Sequence, residues 1–205
     1  MQLAALKSEQ QEIFKRLKNF PEFCLVGGTA LALQLGHRLS IDFDLFSKRE
    51  IPKSLLPKAK RVFAGFKVRT ILNHSEQLSI VVGRTKVDFV KYSFPLLLKT
   101  IGVEGVKLVA VSEIAVMKAF AIGQRGTMKD YVDLYFIIKE KHTTLENIKK
   151  LAERKYKDEF NFRLFLEQLI YTSDVKRERI EFLREPVTEA QMAAFFTEQI
   201  KKLKL

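Results

Sequence analysis

A chain of 205 residues with 47% apolar and 29% charged residues is long enough to bury a core, and its formal net charge is +12. That excess of lysine and arginine favours polyanionic partners through phosphate neutralisation and counterion release, without separating RNA, DNA and free nucleotide. A single cysteine, Cys24, excludes an internal disulfide and fits a reducing compartment, and no apolar run approaches the roughly 20 residues a bilayer requires.

Residues 1–9 show no basic segment followed by a sustained apolar one, so a cytoplasmic protein, neither exported nor membrane-spanning, is expected. Residues 3–18 carry Leu3, Leu6, Ile13, Phe14 and Leu17 in an imperfect amphipathic helix that Pro21 ends. A short apolar strand over 23–26 runs into Gly27-Gly28-Thr29, and a helix occupies 30–35. The segment Gly36-His37-Arg38-Leu39-Ser40 then leads into Ile41-Asp42-Phe43-Asp44-Leu45, where a period of two throws both carboxylates to one face. Residues 52–64 read as a basic helix with Leu55, Leu56, Ala59, Val62 and Phe63 inward. Strands are expected at 66–72, 77–82 and 86–92, the last two joined by a turn at Gly83-Arg84-Thr85. In the last of them Asp88, Val90 and Tyr92 share one face, and Val87 and Phe89 the other. Residues 106–110 form a further short strand.

From there only helices are expected. Ser112 caps a helix to Gly123, with Glu113 in its first turn. Residues 124–128 break it, 129–139 form the next, and Thr144 caps a helix ending near Tyr156. Amphipathic helices over 160–171 and 188–204 are separated by the charged stretch 174–185. The order predicts an α/β (α+β) fold: a mixed-sheet core with an N-terminal helix in residues 1–110, and a helical region in 111–205 packed on it.

A glycine pair between a strand and a helix start leaves backbone N–H groups aimed at one spot, which suits a phosphate. Two carboxylates on one strand face beside such a turn are what a magnesium–nucleotide site requires. Asp88, a carboxylate in an apolar strand, is the candidate third; the alternative is an aspartate on the solvated side of a hairpin.

The string from Gly27-Gly28-Thr29 through Gly36-His37-Arg38, Ser40, Asp42 and Asp44-Leu45-Phe46 resembles the nucleotidyltransferases of the DNA polymerase β superfamily and, more narrowly, the AbiEii/AbiGii toxin family. The resemblance is tight over residues 23–46 and looser as far as Lys139. There Lys118, followed by Arg125 and Lys129-Asp130-Tyr131-Val132-Asp133-Leu134, matches a lysine on one helix and a basic–Asp–x–x–Asp–Leu element on the next. It implies a polymerase β-like nucleotidyltransferase core and two magnesium ions. It also implies transfer of a nucleoside monophosphate from an NTP to an acceptor hydroxyl.

Asp42 and Asp44 would bridge the ions, and Asp88 would ligate the ion facing the acceptor or act as its base. Gly27 and Gly28 would admit the β- and γ-phosphates, with the Thr29 hydroxyl as a further donor where the superfamily more often has serine. Arg38 and Ser40 complete the nucleotide-binding candidates: the resemblance implies that Arg38 meets the triphosphate or pairs with an active-site carboxylate, with a positional role as the alternative. Lys118 would neutralise the leaving polyphosphate, and Asp130 and Asp133 would orient it or an arginine, or help bind nucleotide; ordinary helix-surface charge is the alternative for all three. His37 reads as a turn residue.

The resemblance further implies a toxin of a toxin–antitoxin or phage-defence system, an RNA acceptor such as tRNA, and an antitoxin partner. Two other readings stay open: transfer to a protein or small molecule, and a non-catalytic nucleotide- or RNA-binding module on the same fold. Three carboxylates, Asp42, Asp44 and Asp88, speak against the last.

Overall fold

Alternation of apolar and polar residues builds two adjacent parallel strands here, β2 (Phe43–Ser47) and β5 (Thr85–Lys91), at the middle of a mixed sheet. The computed structural model describes residues 1–173 and 175–203. Asp174, Lys204 and the Arg125 side chain, all within segments singled out above, lie outside the described residues. The chain divides into two units, Met1–Ala110 and Val111–Leu205.

In the first unit the remaining strands are β1 (Cys24–Val26), β3 (Val68–Asn73), β4 (Gln77–Val82), β6 (Ile101–Val103) and β7 (Val106–Leu108). The sheet order among the described residues is β3-β4-β5-β2-β1-β7-β6. β1 runs antiparallel to β2 and parallel to β7, while β4 runs antiparallel to both β3 and β5. Helices α1 (Ser8–Leu17), α2 (Gly27–Leu35) and α3 (Leu55–Val62) complete the unit. α2 is apolar all round and buried on nearly every side, as such a composition requires.

One sheet face is the core. Phe43, Leu45, Val87 and Phe89 are buried there. Phe14 of α1 stacks on Phe43 at 6.4 Å, and Phe20 meets Phe63 at 5.8 Å and Phe89 at 4.9 Å. Because strand side chains alternate, Asp44 and Asp88 take the opposite face, and a slip of one residue would exchange them with Leu45 and Phe89. β3 is an edge strand, largely exposed, and a register shift between Thr70 and Leu72 interrupts it; such irregularities blunt an edge against pairing with other chains.

The strand β6 is not among the elements expected from the sequence. It pairs with β7 across Glu104 and Gly105, both at positive φ, which gives the primed type of hairpin turn.

The second unit holds α4 (Val111–Arg125), α5 (Met128–Lys139), α6 (Leu145–Tyr156), α7 (Phe162–Ile170) and α8 (Glu189–Lys201). Thr144 caps α6 by accepting from the Asn147 N–H, and Thr188 caps α8 through Gln191. Ser112 is not a cap. It lies inside the first turn of α4, and its hydroxyl donates to the His142 carbonyl at 2.9 Å. Phe120 and Tyr156 stack at 4.0 Å, and Lys155 bonds Glu113 at 2.5 Å with both side chains buried. Among the described residues no helix is long and apolar enough to cross a membrane.

Phe89→Ala removes the ring that Phe20 and Phe23 both pack against. It is expected to lower unfolding free energy by about 3–5 kcal/mol, seen as a reduced denaturation midpoint with an unchanged slope in urea.

Candidate active site

The site begins where β1 passes into α2. Gly27 has φ of +69°, a conformation most side chains avoid, and a Cβ there would sit 2.7 Å from Asp44 Oδ2. A Cβ on Gly28 would sit 2.5 Å from a guanidinium nitrogen of Arg38. The two glycines therefore clear space for two named groups, a carboxylate over the first and a guanidinium over the second.

Arg38 is buried, and one of its nitrogens donates to the Leu39 carbonyl at 3.0 Å. Thr29 is buried as well. Its hydroxyl lies 2.7 Å from the Ser40 hydroxyl and donates to the Asp42 carbonyl. This departs from the expectation of a phosphate donor: the Thr29 and Ser40 hydroxyls tie the start of α2 to the entry of the acidic strand. Gln10 of α1 braces the same loop by donating to the Ser40 carbonyl at 2.9 Å. What the turn can offer a phosphate is backbone N–H and the Arg38 charge. His37 is fully buried.

Strand register assembles the acids. Ser79 of β4 pairs with Asp88 of β5, Asp88 with Asp44 of β2, and Asp44 with Val26 of β1, in one row that ends at the residue before Gly27. Asp42 lies one step ahead of β2 and keeps the parity of Asp44; both are half-buried. Asp88 is buried rather than on a solvated hairpin face.

Lys86, two residues before Asp88 and on the same face, donates to Asp88 Oδ2 at 2.6 Å. That hydrogen bond holds the Lys86 pKa above its ordinary value against partial desolvation, and Asp42 and Asp44 add attraction. One ammonium thus feels all three carboxylates. Sequence reasoning passed over Lys86, although the period of two that grouped Asp42 with Asp44 groups Lys86 with Asp88.

The expected three-carboxylate metal set is not a finished cage: among the described residues no three His, Cys, Asp or Glu side chains gather as a metal site. Converging carboxylates repel, and the Lys86 ammonium is drawn to the nearest of them. The donors still fit a hard divalent cation. They are carboxylate oxygens, and Asp88 Oδ1 is buried with no hydrogen-bond partner among the described residues.

The second unit contains the other predicted cluster. Lys118 of α4 bonds Asp130 Oδ1 at 2.7 Å and Asp133 Oδ2 at 2.8 Å, both on α5, and Thr127 donates to Asp130 Oδ2. All three charged side chains are buried, so ordinary surface charge is not their role. Lys129, the basic residue of the Lys–Asp–x–x–Asp–Leu element, turns instead to Glu178 at 2.6 Å.

This architecture has known counterparts. The nucleotidyltransferase toxin MenT4 of Mycobacterium tuberculosis H37Rv superposes with a TM-score of 0.67 at 16% identity, over 96% of this chain and 82% of that one. JHP933 of Helicobacter pylori gives 0.55 at 16% identity, over 96% and 95%. The fold is that of a nucleotidyltransferase. At the level of sequence, a protein of Aquifex aeolicus (strain VF5), itself uncharacterized, is 32% identical over 202 residues, covering 96% of this chain and 97% of the relative. Residues 12–205 match the family described as nucleotidyl transferase AbiEii toxin, type IV toxin–antitoxin system. The chain belongs to that AbiEii family and is a nucleotidyltransferase.

Lys118→Met would leave two carboxylates buried without their counter-charge, a loss of about 3–5 kcal/mol. A triple variant that also carries Asp130→Asn and Asp133→Asn should recover part of it in chemical denaturation. Equal stability of the single variant and wild type would mean that the cluster does not hold α4 to α5.

Proposed function

We propose that the protein moves a nucleoside monophosphate from a nucleoside triphosphate to a hydroxyl of RNA, in a magnesium-dependent reaction. We further propose that it acts in the cytoplasm as the toxin of a toxin–antitoxin pair. The observation that carries the reading is the register of Asp44 with Asp88, one strand away from the Gly27-Gly28 turn. A polyphosphate seated on that turn brings its α-phosphorus to the carboxylates. The family's description supports the toxin role and an antitoxin partner, and the net charge of +12 supports a polyanionic acceptor.

Asp42, Asp44 and Asp88 would hold the magnesium, which supplies positive charge that lowers the acceptor hydroxyl's pKa and offsets the phosphates. Backbone N–H groups of the glycine turn, with Arg38 against Gly28, bind and orient the β- and γ-phosphates. Asp88 takes the acceptor proton as the acceptor oxygen bonds to the α-phosphorus. The bond from that phosphorus to its bridging oxygen breaks, and pyrophosphate leaves with the electron pair. A role for Lys118 at the leaving group, with Asp130 and Asp133 holding it, rests on the family pattern alone.

The test supplies purified protein with magnesium and each α-labelled triphosphate in turn, together with total cellular RNA and protein. Label is expected in RNA. Asp44→Asn should lower incorporation by more than about 100-fold, since even outer partners of metal ligands cost 10–100-fold, while its circular dichroism stays that of wild type. Label confined to protein would overturn the RNA acceptor. Undiminished transfer by Asp44→Asn would overturn the site.

A further inference from the structure

A cavity of about 560 Å³ lies in the first unit and includes Cys24, Phe46 and Tyr92 in its wall. Its position follows from register. Phe46 is two residues beyond Asp44 on β2, pairs with Cys24 and Val90, and so shares the sheet face of the carboxylates. The Tyr92 N–H donates to the Ser47 carbonyl at 2.7 Å, which extends the β2–β5 pairing by one further step. At about 3.3 Å of strand rise per residue, Phe46 stands roughly 6.6 Å and Tyr92 roughly 13 Å along the strands from the acidic row.

The wall chemistry is specific. Phe46 and Tyr92 stack at 4.6 Å with 28° between planes, and Phe94 meets Tyr92 edge-on at 5.6 Å. This ladder is half-buried, so its rings are partly open. Lys48, Arg49 and Lys107 line the same cavity, all exposed. The one acid in the wall, Glu22, is engaged by Lys58 at 3.1 Å, so the cavity is cationic on balance. Aromatic rings beside lysine and arginine are the pairing that single-stranded nucleic acid uses, bases on rings and phosphates on cations.

Direction along the strands selects which nucleotide sits there. The glycine turn lies at the C-terminal end of β1 and the cavity at its N-terminal end, with the acidic row beside the turn. In-line displacement sets the attacking oxygen opposite the leaving pyrophosphate. With polyphosphate at the turn, an acceptor that enters from the cavity side, across the acidic row, meets that requirement. We infer that this cavity is the acceptor subsite, taking an unpaired base of a single-stranded RNA end against Phe46 and Tyr92, with adjoining phosphates on Lys48, Arg49 and Lys107. The inference rests on the RNA-acceptor reading above and adds the surface that recognises it.

The probe is a short fluorescein-labelled single-stranded RNA, titrated without triphosphate and followed by anisotropy. Tyr92→Leu, which keeps apolar bulk but loses the stacking face, should weaken binding about tenfold. A Lys48→Gln/Arg49→Gln variant alters only exposed side chains, so its folding is not at stake. It should flatten the slope of log affinity against log salt by about 0.7 for each phosphate no longer neutralised. In transfer assays both variants should raise the KM for RNA far more than that for the triphosphate. Variants that bind and label RNA like wild type would overturn the subsite and leave the RNA acceptor standing. Wild type that neither binds the probe nor labels RNA, while labelling protein, would overturn both.

Discussion

The parallel pairing of β2 with β5 governs this molecule. Neighbouring strands lie about 4.8 Å apart, so the register that sets Asp44 opposite Asp88 forces two carboxylates into proximity. Their repulsion is tolerated because the opposite face of the same strands, Phe43, Leu45, Val87 and Phe89, locks the register through burial. Core and site are thus two sides of one alternation, and neither can shift without the other. Lys86 relieves part of the repulsion, yet Asp88 Oδ1 stays buried without a hydrogen-bond partner among the described residues, a state that ordinarily costs about 1–3 kcal/mol. A fold that holds such an atom in place favours cations there.

The glycine turn obeys the same logic of close approach. Glycine at strand–helix junctions is usually read as freedom for the backbone to meet a ligand. Here the space above each glycine is already allotted, to the Asp44 carboxylate and to the Arg38 guanidinium. Thr29, Ser40 and Gln10 then fix the loop between turn and strand from three directions. The backbone N–H groups of the turn, the Arg38 cation and two of the acids, Asp42 and Asp44, are therefore positioned by one braced segment, residues 27–44, while Asp88 comes from β5. This physical unity explains why the resemblance to a known family is concentrated there.

Local patterns were legible in the sequence, and pairings between distant segments were not. The period of two put Asp42 with Asp44 and assigned Asp88 its face, and the cap at Thr144 stands where composition places it. No local pattern states that β5 lies beside β2, because parallel pairing joins residues far apart in the chain. The hydroxyls of Thr29 and Ser40 look like ligand contacts until their nearness to each other is known, and that nearness is tertiary. Ser112 has the composition of a cap, but Val111 already begins the helix. β6 escapes notice because three residues joined by Glu104-Gly105 lack the usual asparagine or aspartate before glycine. Lys86 and the Phe46–Tyr92 ladder are visible in the same alternation as the acids, but their meaning depends on what faces them.

Two lysines show how differently one residue type can serve beside acids. Lys86 lies on a strand, partly open to solvent, and meets its carboxylate with a flexible stem. Removing it would leave the carboxylates with access to water or to another cation. Lys118 is buried on α4 and held by two aspartates of the adjoining helix, so its ammonium directs two donors at fixed points and its stem has little room to move. Screening by solvent is weak in such a place, and the charges are committed to one another. A lysine in the first setting keeps a partly exposed stem that can swing away from its carboxylate; one in the second serves first as an anchor between helices. Any part Lys118 plays toward a polyphosphate has to be compatible with that anchoring, which makes stability the first measurement on its variants and turnover the second.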